Sequence, residues 1–241
     1  MKRFGIALLM IAAMLGGAAF YYSFPDHRYR LTIEIDTPEG VKSGSSVIAV
    51  YASDVTWGLP EATGFRSRIT GEAVFVDLGS GRNVIALLAH GKGAERSERV
   101  NFLAHEAFAR AGQKVKWFET RNLKGMARLT GGLVPTLVTL ANLNDPATAK
   151  VIYAADAYEM HFGYEGRVAI DEIESTFGPG YRFKRAWVEV TRDGVTTGIE
   201  SRLPWLGKPF PWMKPSGNGI YVDARPFVLD QYRLQKQQFE R

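Results

Sequence analysis

The 241 residues are 46% apolar and 12% aromatic, enough to bury a core and far from the low-hydrophobicity, high-charge composition of a disordered chain. Cysteine is absent, which excludes disulfides, thiolate metal sites, iron–sulfur clusters, thiol nucleophiles and a lipidated cysteine behind a signal peptide. The net charge of +5 and pI of about 9.4 are too modest a surplus to name a nucleic acid as partner.

Lys2 and Arg3 precede an uncharged run from Phe4 to Phe24, about 21 residues or ~31 Å of helix at ~1.5 Å per residue, the thickness of a bilayer core. Two readings compete. Gly17 and Ala19 place small residues where a signal peptidase would cut before Phe20, releasing the remainder into the periplasm. The anchor is the preferred reading, because the run continues through Phe20, Tyr21, Tyr22 and Phe24, beyond the ~7–15 apolar residues a signal peptide needs, with aromatics suited to a membrane interface. Arg28 and Arg30 nearly balance Lys2 and Arg3, so the short N-terminal stub decides the expected orientation: N-terminus inside, body in the periplasm, held in the inner membrane.

Tyr29 to Asp36 alternates apolar and polar residues and predicts a half-buried strand. Thr37-Pro38-Glu39-Gly40 is a turn signal, and Ser46 to Ala52 supplies a second strand for a hairpin. Gly71 to Leu78, Val84 to Ala89, Leu133 to Ala141, Tyr181 to Thr191 and Gly219 to Asp223 are further strand candidates. A helix is expected over Glu98 to Ala111, where Val100, Leu103, Ala104, Ala107, Phe108 and Ala111 form one apolar stripe and Gly112 is a stop. A shorter one is expected over Asp171 to Phe177, capped by Asp171 and ended by Gly178-Pro179-Gly180. The polar segment from Asp230 to Arg241 reads as a short surface helix or a frayed tail. The resulting fold class is α+β: one mainly antiparallel, sandwich-like domain over residues 26–229 with one or two packed helices, an anchor over 1–25 and a tail over 230–241.

Formal charge is unevenly distributed: residues 1–91, 92–128, 129–177 and 178–241 carry net 0, +5, −5 and +5. Folding either interleaves these segments, which the frequency of solvated charge runs favours, or leaves a basic side for phospholipid headgroups or an acidic partner.

The blocks Tyr29 to Gly40, Ser43 to Ile48, Phe177 to Gly180 and Val195 to Leu206 resemble an uncharacterised membrane-anchored protein family of proteobacteria. The resemblance covers most of the chain after the apolar run. It implies a bacterial source and an anchored topology; that family has no assigned function, so no site residue carries over.

Glu159 and His161 share a face of any strand, and Asp156 lies nearby, a carboxylate–imidazole set capable of acid–base chemistry or metal binding. A metal site needs more ligands than this stretch supplies, so structural or surface roles are preferred and no metal or cofactor is expected. His105-Glu106 lacks the second histidine of a zinc-protease helix, and the apolar stripe directs both residues away from the core. His90 ends an apolar strand in a glycine-rich loop without a nucleophile elbow or phosphate loop, and reads as a surface residue. Leu203 to Pro215 is rich in proline and aromatics. Trp205, Phe210 and Trp212, flanked by Lys208 and Lys214, either contact a partner or the membrane, or cover the sheet as core. These features lead to the expectation of a non-catalytic envelope accessory or binding protein, with residues 4–24 in the bilayer, interacting with another envelope protein, lipid or a small ligand. The alternative is a periplasmic hydrolase or metal-dependent enzyme using Asp156, Glu159 and His161.

Overall fold

In a computed structural model the structure describes residues 25–55, 64–94, 96–156, 166–207 and 228–230. Strands β1 (His27–Thr37) and β2 (Gly40–Val55) form the hairpin that the alternation predicts, closing through Thr37↔Gly40. Gly40 adopts a φ of +115° there, a conformation that favours glycine. With β3 (Gly64–Glu72), β6 (Met126–Leu129), β10 (Arg182–Thr191) and β11 (Val228–Asp230) they build one antiparallel sheet, ordered β11-β3-β2-β1-β10-β6. The second sheet is also antiparallel, ordered β4-β5-β7-β8-β9, from β4 (Val74–Gly79), β5 (Arg82–Ala86), β7 (Leu137–Leu140), β8 (Ala149–Ala155) and β9 (Val168–Asp171). The described residues are thus a sandwich of two antiparallel sheets with few helices.

The chain changes sheets at Ala73, between β3 and β4. Two glycines permit the close crossing there. A Cβ on Gly44 would lie 2.2 Å from the Phe75 carbonyl oxygen, and one on Gly71 would lie 2.9 Å from Ile48 Cγ1, approaches that only a residue without a side chain tolerates.

The core between the sheets is drawn from alternate positions. Tyr29, Leu31, Ile33 and Ile35 of β1 face Val74, Val76 and Leu78 of β4 and Val84 and Ala86 of β5. Helix α1 (Leu103–Arg110) packs on β6 and β10, adding Leu103, Ala104, Ala107 and Phe108. The stretch before it, Ser97–Phe102, is 3-10 rather than α, so the predicted helix over 98–111 is half as long. Helix α2 (Ile173–Phe177) also begins later than expected, because Asp171 is consumed by β9.

The second sheet is apolar on both faces. On the outer one Ile85, Leu87, Val138, Leu140, Val151 and Ala154 are covered by Ile199, Leu203 and Trp205, carried on 3-10 turns at Ile199–Ser201 and Pro204–Gly207. Two-sided burial explains why Val84 to Ala89 is a continuous apolar run and why Leu133 to Leu140, threonines included, is buried throughout rather than at alternate positions. The covering segment is pinned: Thr196 exchanges hydrogen bonds with Val47, its Oγ1 accepting from the Val47 nitrogen at 2.8 Å. The Glu72 carboxylate accepts from the Ile199 nitrogen at 2.9 Å.

Among the described residues no helix is long and apolar enough to cross a membrane; residues 4–24, the candidate strand 219–223 and residues 231–241 lie outside them. Asp230 is in β11, opposite Thr70, and not in a tail helix.

Candidate functional site

The chain enters the body abruptly. The Asp26 nitrogen donates to the Val50 carbonyl at 2.8 Å, and the Asp26 carboxylate accepts from the Ala52 nitrogen. His27 is already buried, with 4% of its surface exposed. It belongs to the inward set of β1, two residues ahead of Tyr29, so extending the strand's alternation backwards would have found it.

The His27 ring meets Trp117 edge-on, with centroids 5.4 Å apart. Trp117 opens a 3-10 turn, Trp117–Asn122, and also lies 5.1 Å from Phe102 and 5.4 Å from His105. Neither nitrogen of His27 has a hydrogen-bond partner among the described residues. Burial first, then the neighbouring His105 and Arg121, lower its pKa to about 4, so the ring is neutral at physiological pH. His105 Nδ1 lies 3.0 Å from Thr120 Oγ1, and burial lowers the pKa of this ring too.

The surface beyond this aromatic cluster is basic. Residues 114–128 contain Lys114, Lys116, Arg121, Lys124 and Arg128 against a single acid, Glu119. All five cations are exposed, and none has an ion-pair partner among the described residues. Glu119 is engaged locally, accepting from the Lys116 nitrogen at 3.1 Å. The Arg121 Nε donates to the Phe118 carbonyl at 3.1 Å. Phe118 is 43% exposed and Met126 65% exposed. An exposed basic stretch with interleaved apolar side chains offers charge to anions and apolar contact to whatever carries them.

Elsewhere the charged segments interleave. Arg182 and Lys184 pair with Asp36 at 2.8 and 3.4 Å, and Arg185 pairs with Glu34 at 2.7 Å. Lys150 pairs with Glu172 at 2.8 Å. The basic surplus of 182–185 is neutralised by β1, whereas that of 114–128 is not.

The residues singled out from sequence fare differently. Asp156 holds Lys92 at 2.8 Å, while Glu159 and His161 lie outside the described residues. Trp205 is not surface: it is 7% exposed on the second sheet, and its Nε1 donates to the Leu143 carbonyl at 3.1 Å. Lys208, Phe210, Trp212 and Lys214 lie outside the described residues. His90 is a core histidine rather than a surface one. The chain stays extended past β5, with the Leu87 nitrogen donating to the Thr136 carbonyl and the Thr136 nitrogen to Ala89. This keeps His90 at 2% exposure with Nε2 3.2 Å from the Leu133 carbonyl oxygen. Burial lowers its pKa to about 4.

Glu106 is also inward, 8% exposed, with burial raising its pKa while Arg99 and Arg110 oppose the rise. The apolar stripe counted from Val100 is buried through Phe108, and Glu106 lies at the edge of that buried face rather than opposite it. Among the described residues no group of three or more potential ligands could hold a metal ion. In the comparisons, no family model, no curated protein and no solved structure matches this chain.

Proposed function

We propose that the protein is a non-catalytic accessory or binding protein of a bacterial envelope, tethered to the inner membrane by residues 4–24 with its sandwich in the periplasm. The observation that carries the reading is the tight entry of the chain. The uncharged run ends at Phe24, and Asp26 and His27 are already fixed to β2 and to Trp117. No slack separates a membrane-length segment from a rigid body, the arrangement of a domain held against its membrane. A binding role is supported by the exposed basic surface over 114–128, which has no ion-pair partner among the described residues. The resemblance to an anchored bacterial family points to the same compartment.

The test is crosslinking in native membranes, followed by solubilisation, pull-down of the tagged full chain and mass spectrometry. A stoichiometric envelope partner in the crosslinked sample is the expected result, and none in repeated crosslinked preparations overturns the binding reading. Turnover of a hydrolase substrate that disappears with Asp156→Asn would overturn the non-catalytic reading.

A further inference from the structure

Three placements converge at one end of the larger sheet. Its β1 begins there, with Arg28 opposite Thr191 of β10. Strand β6 begins there too, with Met126 opposite Glu189 of the same strand. The 3-10 turn at Trp117–Asn122 lies against both β1 and β10 and is joined to β6 through Leu123, Lys124 and Gly125. Phe118, Lys124 and Met126 therefore share the end of the body at which the chain arrives from residues 4–24. Extended chain from Phe24 to His27 spans at most about 10 Å, close to the ~8 Å over which a membrane's surface charge is felt at physiological salt.

We propose that the surface from Lys114 to Arg128 lies on the anionic phospholipid headgroups of the bilayer that residues 4–24 enter. This rests on the anchored reading above and names what its basic surface contacts. Charge complementarity selects the occupant: five exposed cations have no ion-pair partner among the described residues, and the one acid accepts from a backbone nitrogen. Lysine and arginine stems lie along the interface with their charges among phosphates. Phe118 and Met126, exposed and unbranched at Cβ, reach the acyl boundary between them. Each basic residue near an anionic leaflet shifts the docked population by about fivefold, so five hold the body down against its own rotational freedom. The geometry also fixes the pose, with β1 and β10 rising from the membrane.

The chain has no cysteine, so Phe118→Cys in the full protein gives a single site for a polarity-sensitive fluorophore. The labelled protein is reconstituted into vesicles of phosphatidylcholine alone or with phosphatidylglycerol, and flotation is measured alongside emission. The expected result is flotation with both vesicles but a blue-shifted emission only with phosphatidylglycerol. That shift should be reversed by high salt and weakened at least about 100-fold in lipid dependence by Lys114→Glu/Lys116→Glu/Arg121→Glu/Lys124→Glu. Salt reversal on the unsubstituted surface keeps the test valid if that variant folds poorly. Flotation with both vesicles and emission indifferent to lipid charge overturns the docking while leaving the anchor. Flotation with anionic vesicles alone removes the anchor and leaves the surface as the attachment. Flotation with neither overturns both.

Discussion

Acid should unfold this protein through two buried histidines, and His27 allows the contribution of one to be isolated. Its pKa falls from 6.5 to about 4 because the ring is buried against Trp117 and faces His105 and Arg121. The unfolded chain takes up the proton near 6.5 and the folded one only near 4. The stability that the neutral ring contributes is therefore complete above about pH 6.5 and is lost as pH falls towards 4. At ~1.4 kcal/mol per pH unit the loss is about 2 kcal/mol at pH 5 and about 3 kcal/mol once both states are protonated. His90, also lowered to about 4 by burial, adds a similar amount. Glu72 and Glu106 act with the opposite sign, since burial raises both and each favours the fold on acidification. His27→Phe keeps a ring against Trp117 but cannot take a proton. Urea unfolding of the full chain in detergent, at about pH 7.5 and pH 5, should show the acid-induced loss reduced by about 2 kcal/mol in the variant. The glutamate contributions and that of His90 cancel in the comparison. An identical acid loss in both proteins would refute the assignment of a neutral, buried His27.

Other perturbations probe the packing. Trp205→Ala should lower stability by about 3–5 kcal/mol, read by thermal melting, because it uncovers Ile85, Leu140 and Val151 and leaves the Leu143 carbonyl without its donor; an unchanged melting temperature would mean the ring is not core. Gly44→Ala should cost about 3 kcal/mol or more, since the new Cβ meets the Phe75 carbonyl oxygen at 2.2 Å, and the soluble yield of folded protein checks it. Tyr29→Phe removes the buried hydroxyl that donates to the Val100 carbonyl at 2.8 Å, for a loss of about 1–2 kcal/mol by denaturant titration. Lys92→Ala should change stability by less than about 1 kcal/mol in the same titration, because its pair with Asp156 is exposed.

What was legible from residues alone follows local periodicity. The β1–β2 hairpin and β10 were readable because one face of each is buried and the other wet. Strands β8 and β9 escaped notice. Val151 to Ala155 is buried on both faces beneath the turns that carry Leu203 and Trp205, so no alternation marks it, and Val168 to Asp171 is a four-residue edge. Met126 to Leu129 was equally short. The basic surplus of 92–128 was visible by counting, but its being unpaired was not. Whether a lysine meets a carboxylate depends on long-range neighbours, as the pairing of Arg185 with Glu34 across β10 and β1 shows. Trp205 covers the second sheet as core, one of the two readings its aromatic segment allows, while the contacts of Trp117 with His27 and Phe102 depend on tertiary neighbours that no local pattern marks.

Whether residues 4–24 hold the protein in the membrane is decided by their fate in the cell. Native membranes of the source cell are washed with alkaline carbonate and the protein's intact mass is measured in pellet and supernatant. An anchored protein stays in the pellet, uncut between Ala19 and Phe20. A shortened product beginning at Phe20 in the supernatant would contradict the anchored reading.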